Sequence, residues 1–355
     1  MELASAKSSF LSAWQLAWAK LSWATSLILP KAAAIYTVGI YFSTPQCWLF
    51  TLYLLFCEDV LIRLLVAGYL AWIFVGPGRD AAKNVTWRPY MRRWGLWNYL
   101  AAYFRAELVK TAELDPSKSY LFGVHPHGVL TMASWINFST ESTGFSDKFP
   151  GIEMHVGTLN WNFVTPIARE FLLMHGACDV TRDTLCALLS RPGRAVMVAI
   201  GGAAEALHAF PGTYDLVLAK RKGFVKVAMM TGASLVPVLC FGENEVMTTV
   251  KVEHGSFTHK LQRFLKGIVG FTIPVCYGRG LFGIRYGILP NPVRHVTVVG
   301  APIDIPKFTG DLHSEEGQAA VNRAHAKYIA ALQALWEQHK DQYAKQRRSS
   351  LHIIE

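Results

Sequence analysis

Several signatures are missing from this chain, and each absence removes a class of explanation. None of its six cysteines (Cys47, Cys57, Cys178, Cys186, Cys240, Cys276) stands at C-x-x-C spacing, so neither a zinc site nor a small disulfide scaffold is indicated and the thiols are expected to stay reduced. No G-x-S-x-G and no H-E-x-x-H occurs, which leaves a serine hydrolase or a zinc protease without support. Charged residues are scarce, 17% of 355 against 52% hydrophobic, too few for an ordinary soluble enzyme. The eleven tryptophans point instead to surfaces that meet a membrane interface. The little charge present leans positive, +10 formally, and suits an anionic partner such as a phospholipid surface, a phosphate-bearing molecule or nucleic acid. Net charge is all that speaks for nucleic acid, which is therefore not expected as a partner.

The apolar residues are concentrated at the start. Within 1–30, the polar positions Ser8, Ser12, Gln15, Ser22 and Ser26 recur at steps of three and four on an otherwise apolar segment carrying Trp14, Trp18 and Trp23. That pattern predicts an amphipathic helix lying in a membrane interface, with a packed core helix as the alternative. Residues 31–78 predict a membrane hairpin. Its first run, Ala32 to Cys57, has 26 residues without a formal charge, enough to span a bilayer. The second, Leu64 to Pro77, has 14 and spans only if Val60 to Ile62 join it while Arg63 reaches the interface. Lysines before the pair and arginines after it place both ends on the cytoplasmic side, with Glu58 and Asp59 at the far turn. A single re-entrant insertion is the other arrangement.

From 79 to 345 the texture is that of an α/β domain. Strand-length runs at Tyr120 to Val124, Ala195 to Ile200, Ser234 to Phe241 and Arg294 to Val299 alternate with helical segments at Ile167 to His175, Asp183 to Ser190 and Gly223 to Thr231. A mixed sheet flanked by helices follows. Val321, Ala324, Tyr328, Leu332, Leu335 and His339 form one face of a long final helix, and 346–355 reads as a solvated tail.

Three clusters could carry chemistry. The run Tyr120 to Leu130, YLFGVHPHGVL, ends an apolar strand on His125-Pro126-His127-Gly128. With Pro126 favouring extended geometry, both imidazoles are expected to face one space, with a helix from Val129 to Asn137 pointing its amino end there. A neutral imidazole so placed suits a general base. In the second cluster a strand runs into Gly201-Gly202, with Glu205 one turn into a short helix; bare glycine backbone can offer amide donors and the carboxylate can orient a histidine. The third, Lys220-Arg221-Lys222 with Lys226, Arg182 and Arg194, could pair with phosphates. No ligand set for a metal stands out. GRGLFG at Gly278 to Gly283 lies late and is soon interrupted by Gly287 and Pro290, so it reads as a turn.

In order and spacing, YLFGVHPHG, KFPGI (148–152), VTRDT (180–184), GGAAEAL, RKGFVKVA, LVPVLCFGENE and YGRGLFG closely resemble the type-2 diacylglycerol acyltransferase family, which also holds monoacylglycerol, wax-alcohol and retinol acyltransferases. The resemblance implies a glycerolipid-acyltransferase-like sheet behind a membrane hairpin, in the endoplasmic reticulum membrane and on lipid droplets, with a cytoplasmic catalytic face. It implies acyl transfer from acyl-CoA, a substrate rather than a cofactor, to diacylglycerol, with monoacylglycerol and then long-chain alcohols as the alternative acceptors; self-association is common in such enzymes. Relatives further off carry a His-x4-Asp signature, but here the fifth residues after His125 and His127 are Leu130 and Met132. Tyr103-Phe104-Arg105 also departs from the Tyr-Phe-Pro of many members.

A thioester needs no covalent enzyme intermediate if an alcohol beside it loses its proton as it attacks. His127 is thus expected to take the proton, Glu205 to steady it, and His125 or amides near Gly201-Gly202 to stabilise the oxyanion, with Pro126 and Gly128 shaping the substrate site. Arg182, Arg221 and Lys222 are expected to meet the phosphates of CoA. A lipid-binding protein with an idle site is the non-enzymatic alternative.

Overall fold

A computed structural model of the chain describes residues 25–355 apart from 84, 86–87, 254, 270–273 and 281–283. Most of the expected interfacial helix at 1–30 lies outside the described residues.

The first apolar helix, Thr25–Tyr41, does not continue as one rod. It breaks at Phe42-Ser43 and bends by 66° into a second helix, Thr44–Leu55. Pro45 supplies the reason, since it has no N–H for the helical bond to residue 41 and its ring crowds that turn. The 26-residue run is therefore corrected from a straight span to a bent pair. Asp59 then starts a third helix, Val60–Phe74, by accepting the amides of Leu61 and Ile62 at 2.8 and 3.1 Å. Among the described residues no single helix is long and apolar enough to cross a membrane. Exposure at Leu49 (68%), Phe56 (80%) and Val75 (86%) leaves an apolar surface that nothing among the described residues covers. The first helix is different: Ala33, Ala34 and Val38 are buried, the two alanines in a cluster with Trp97, Leu100, Trp135 and Met247.

The following domain is built on a seven-stranded sheet of β1 Glu107–Lys110, β2 Tyr120–His125, β3 Glu153–Thr158, β4 Ala177–Asp179, β5 Arg194–Ala199, β7 Ser234–Phe241 and β10 Val296–Val299. Their order across the sheet is β1-β10-β7-β2-β5-β3-β4, while β8 Thr248–Thr249 and β9 Cys276–Tyr277 pair separately. β2 pairs in parallel with β5 and β7, whereas β10 meets β7 antiparallel and carries β1 parallel to itself. β2 is buried along its whole length, as a central strand covered on both faces must be. Alternation divides it. Tyr120, Phe122 and Val124 join Met154, Phe138 and Phe149 on one face, while Leu121 joins Leu235, Tyr328 and Leu332 on the other.

The last helix, Glu315–Tyr343, covers that second face, and Ser314 caps it by accepting the Gly317 amide at 3.0 Å. The expected solvated tail is a correction: β11, Leu351–Ile354, pairs in parallel with β6, Tyr214–Val217. The Ile354 and Glu355 main-chain oxygens accept the amides of Leu218 and Lys220 at 3.1 and 2.9 Å. Four residues are too few for periodicity to announce a strand. At Arg105 the helix Leu96–Phe104 ends with φ 46°, a backbone closed to the proline of many Tyr-Phe-Pro sequences.

Candidate active site

The two histidines do not share a space. His125 closes β2 on the face that also carries Leu121 and Gly123, so alternation aims it at the last helix. Its Nε2 lies 3.0 Å from the Tyr328 hydroxyl, which itself donates to the Gly123 carbonyl at 3.0 Å. The tyrosine proton is thus committed, and His125 Nε2–H donates to the tyrosine oxygen. Gly123 has no side chain because a Cβ there would overlap Tyr328. Burial drives the His125 imidazole down to about 3, so it stays neutral. The expectation that His125 faces the substrate is corrected accordingly.

His127 stands beyond the cis His125-Pro126 peptide, half-buried, and lines a cavity of about 900 Å³. Its Nδ1 lies 2.9 Å from the Gly128 carbonyl, a partner that can only accept, so the proton resides on Nδ1 and the Nε2 lone pair is available. Among the described residues no protein group bonds Nε2. Burial also lowers this imidazole below the ordinary histidine value, favouring the neutral base.

Glu205 does not touch the His127 ring. One carboxylate oxygen accepts the His127 amide at 2.5 Å and the other the Val217 amide at 2.8 Å. It fixes the main chain under the histidine and ties that loop to β6, a positioning role in place of the expected ring contact. Burial raises its carboxyl to about 7, opposed by those two amides and by Arg221.

A second carboxylate, Glu243, grips the same loop and escaped the sequence reading. Its two oxygens accept the amides of Met132 and Ala133 at 2.9 and 2.7 Å. The amino end expected to face the substrate is therefore already occupied, and the helix begins at Met132 rather than Val129. Gly128, at φ 62°, packs against Glu243 so closely that a Cβ would lie 2.5 Å from its Cγ. The only local signal for Glu243 was an acid placed directly after a fully buried strand, in FGENE.

The cavity also gathers the cations. Arg182, Lys220, Arg221, Lys222 and Lys226 line it, as does Gly202, whose φ is 60°. Lys222 Nζ donates to Asn322 at 2.7 Å, and Arg182 reaches Asp183 at 3.6 Å on an exposed rim. Gly201 lies behind, against the Glu205 carboxylate, and Pro126 is buried; among the described residues neither lines the cavity. The remaining wall is mostly apolar and includes Trp135, Phe171, Leu172 and Ile40 of the first helix. Among the described residues no three His, Cys, Asp or Glu side chains gather as a metal site. Gly278 and Arg279 of GRGLFG make isolated antiparallel bridges to Gly287 and Leu289.

A mixed α/β sheet that sets a neutral histidine in a large apolar chamber with a cationic rim defines an enzyme of apolar substrates. The family model described as diacylglycerol acyltransferase matches residues 53–354, and the chain belongs to that family of acyltransferases. Diacylglycerol O-acyltransferase 2A of Umbelopsis ramanniana is 39% identical over 90% of this chain and 89% of its own length. Diacylglycerol O-acyltransferase 2 of Xenopus tropicalis is 40% identical, covering 84% and 82%. The human 2-acylglycerol O-acyltransferase 3 is 41% identical, covering 77% and 79%.

Proposed function

We propose that this chain transfers a fatty acyl group from acyl-CoA to the free hydroxyl of diacylglycerol, giving triacylglycerol and CoA. The observation that carries the proposal is the continuity of one cavity, from the cations Arg182, Arg221 and Lys222, past His127, to the first apolar helix. Phosphates of CoA bind at the cationic end, where Lys220 and Lys226 add to the field. The acyl chain and the neutral lipid occupy the apolar end, which adjoins the exposed helices and so a membrane, in our reading that of the endoplasmic reticulum.

In this reading the acceptor hydroxyl attacks the thioester carbonyl while His127 Nε2 takes its proton. The new C–O bond forms, the tetrahedral oxyanion collapses with loss of the C–S bond, and the imidazolium returns its proton to the departing thiolate. No covalent acyl-enzyme is required. Oxyanion stabilisation falls to amides near Gly202, because His125 is turned away from the chamber. Monoacylglycerol is the second acceptor reading, favoured by the similarity to the human 2-acylglycerol enzyme.

Microsomes from a host without its own triacylglycerol synthesis, supplied with labelled oleoyl-CoA and either diacylglycerol, monoacylglycerol or hexadecanol, test the proposal. Triacylglycerol formed from added diacylglycerol is the expected product. Well-expressed protein that yields no ester from any of the three overturns it in favour of the lipid-binding alternative.

A further inference from the structure

The wall that the first helix presents to the cavity is not uniformly apolar. Thr37, Tyr41 and Thr44 line it, in a segment where Ile35, Val38, Ile40 and Phe42 are their neighbours. Thr37 and Tyr41 are one turn apart on one face, and Thr44 follows across the 66° bend. The bend therefore brings three hydroxyl-bearing residues to the chamber wall from two differently directed helices. The Tyr41 ring also packs edge-on against Trp135 at 6.4 Å, in the segment that follows the loop carrying His127.

The hydrogen-bond inventory narrows what these groups can bind. Thr37 Oγ1 gives its proton to the Ala33 carbonyl at 2.8 Å, and Thr131 Oγ1 gives its own to the Leu130 carbonyl at 2.6 Å. Neither of these threonines has a proton left for a ligand, and the Tyr41 hydroxyl, on the wall of the same chamber, can donate to an ester carbonyl. An alkyl chain gains nothing from such a wall and would desolvate its hydroxyls. A glyceride presents ester carbonyls beside the hydroxyl that must approach His127.

Building on the acyl-transfer reading above, we infer that Tyr41, with Thr44, forms a subsite that recognises the ester carbonyl of the acylglycerol acceptor and holds its free hydroxyl toward His127. Tyr41 is then a specificity determinant contributed by the bent membrane helix.

The test compares dioleoylglycerol with its diether analogue, which has the same chains and free hydroxyl but no ester carbonyl, using the full chain in microsomes with oleoyl-CoA. Wild-type protein is expected to show a KM about fivefold lower for the diester, the value of one net hydrogen bond. Tyr41→Phe is expected to raise the diester KM to the diether level, leaving the KM for the diether and for oleoyl-CoA unchanged. Thr44→Val, a change of similar volume, should shift the same ratio in the same direction. Equal wild-type KM for the two acceptors, or a Tyr41→Phe effect equal on both, overturns the subsite alone. Wild-type protein that esterifies neither acceptor overturns the acyl-transfer reading, and the subsite with it.

Discussion

His125 and His127 are two residues apart in sequence and belong to different parts of the molecule. His125 is the last residue of β2, fixed between Gly123 and Tyr328 and kept neutral by burial. His127 lies just past the strand, on a loop held from behind, with Nε2 open to the cavity. The pair shows how identical side chains divide into a structural and a chemical role, the one fixed on the buried face of the strand and the other on the loop beyond its end. The carboxylates repeat the lesson. Glu205 and Glu243 both bind main-chain amides, one before and one after the turn at Gly128, so a loop with little regular structure is nonetheless fixed at its two ends.

Substitutions can break this comparison. His127→Ala removes the proposed base and should cut turnover by about a hundredfold to ten-thousandfold, with membrane insertion and thermal unfolding unchanged. Gly128→Ala forces a side chain into the left-handed region and against Glu243; a stability loss of about 1–3 kcal/mol from the backbone alone is expected, read as a lower unfolding temperature together with lost activity. Tyr328→Phe leaves His125 without its acceptor and should cost about 1 kcal/mol of stability, while kcat stays within severalfold of wild type. A Tyr328→Phe enzyme that is fully stable yet inactive would instead assign His125 and Tyr328 to the chemistry.

At the other end of the chamber, Arg221→Ala combined with Lys222→Ala should raise the KM for acyl-CoA about tenfold at low salt, with little change in kcat, and the difference should shrink as salt screens the phosphates. The smallest effect expected is on the pH profile. A base must be neutral, so activity is full above the His127 pKa and falls as pH drops through it. Because burial lowers that pKa, the acid limb should lie below the ordinary histidine value of about 6.5. Burial holds His125 down to about 3, so it stays neutral near physiological pH.

Much of the scaffold was legible in the sequence for clear reasons. β7 and the helix Gly223–Thr231 occupy the residues their apolar patterns indicated, because a fully buried strand and a helix that is stopped by a glycine leave strong local signals. Short pieces such as β4 and β11 carry no such signal and form only because a neighbouring strand accepts them. The break before Pro45 was encoded in plain sight, but apolar length alone reads as one span. At the site, the residue types of His127, Glu205 and the cations were legible, whereas their partners were not. Glu205 binds an amide 78 positions away and His125 a hydroxyl 203 positions away, contacts that only the assembled sheet and last helix define.

The most direct test of the account is the turnover of labelled oleoyl-CoA with diacylglycerol in microsomes, measured side by side for wild-type protein and His127→Ala at matched expression. Triacylglycerol formation that falls at least a hundredfold in His127→Ala, in protein that inserts and unfolds like wild type, is the predicted result. Turnover near the wild-type level in that variant would contradict the assignment of His127 Nε2 as the base.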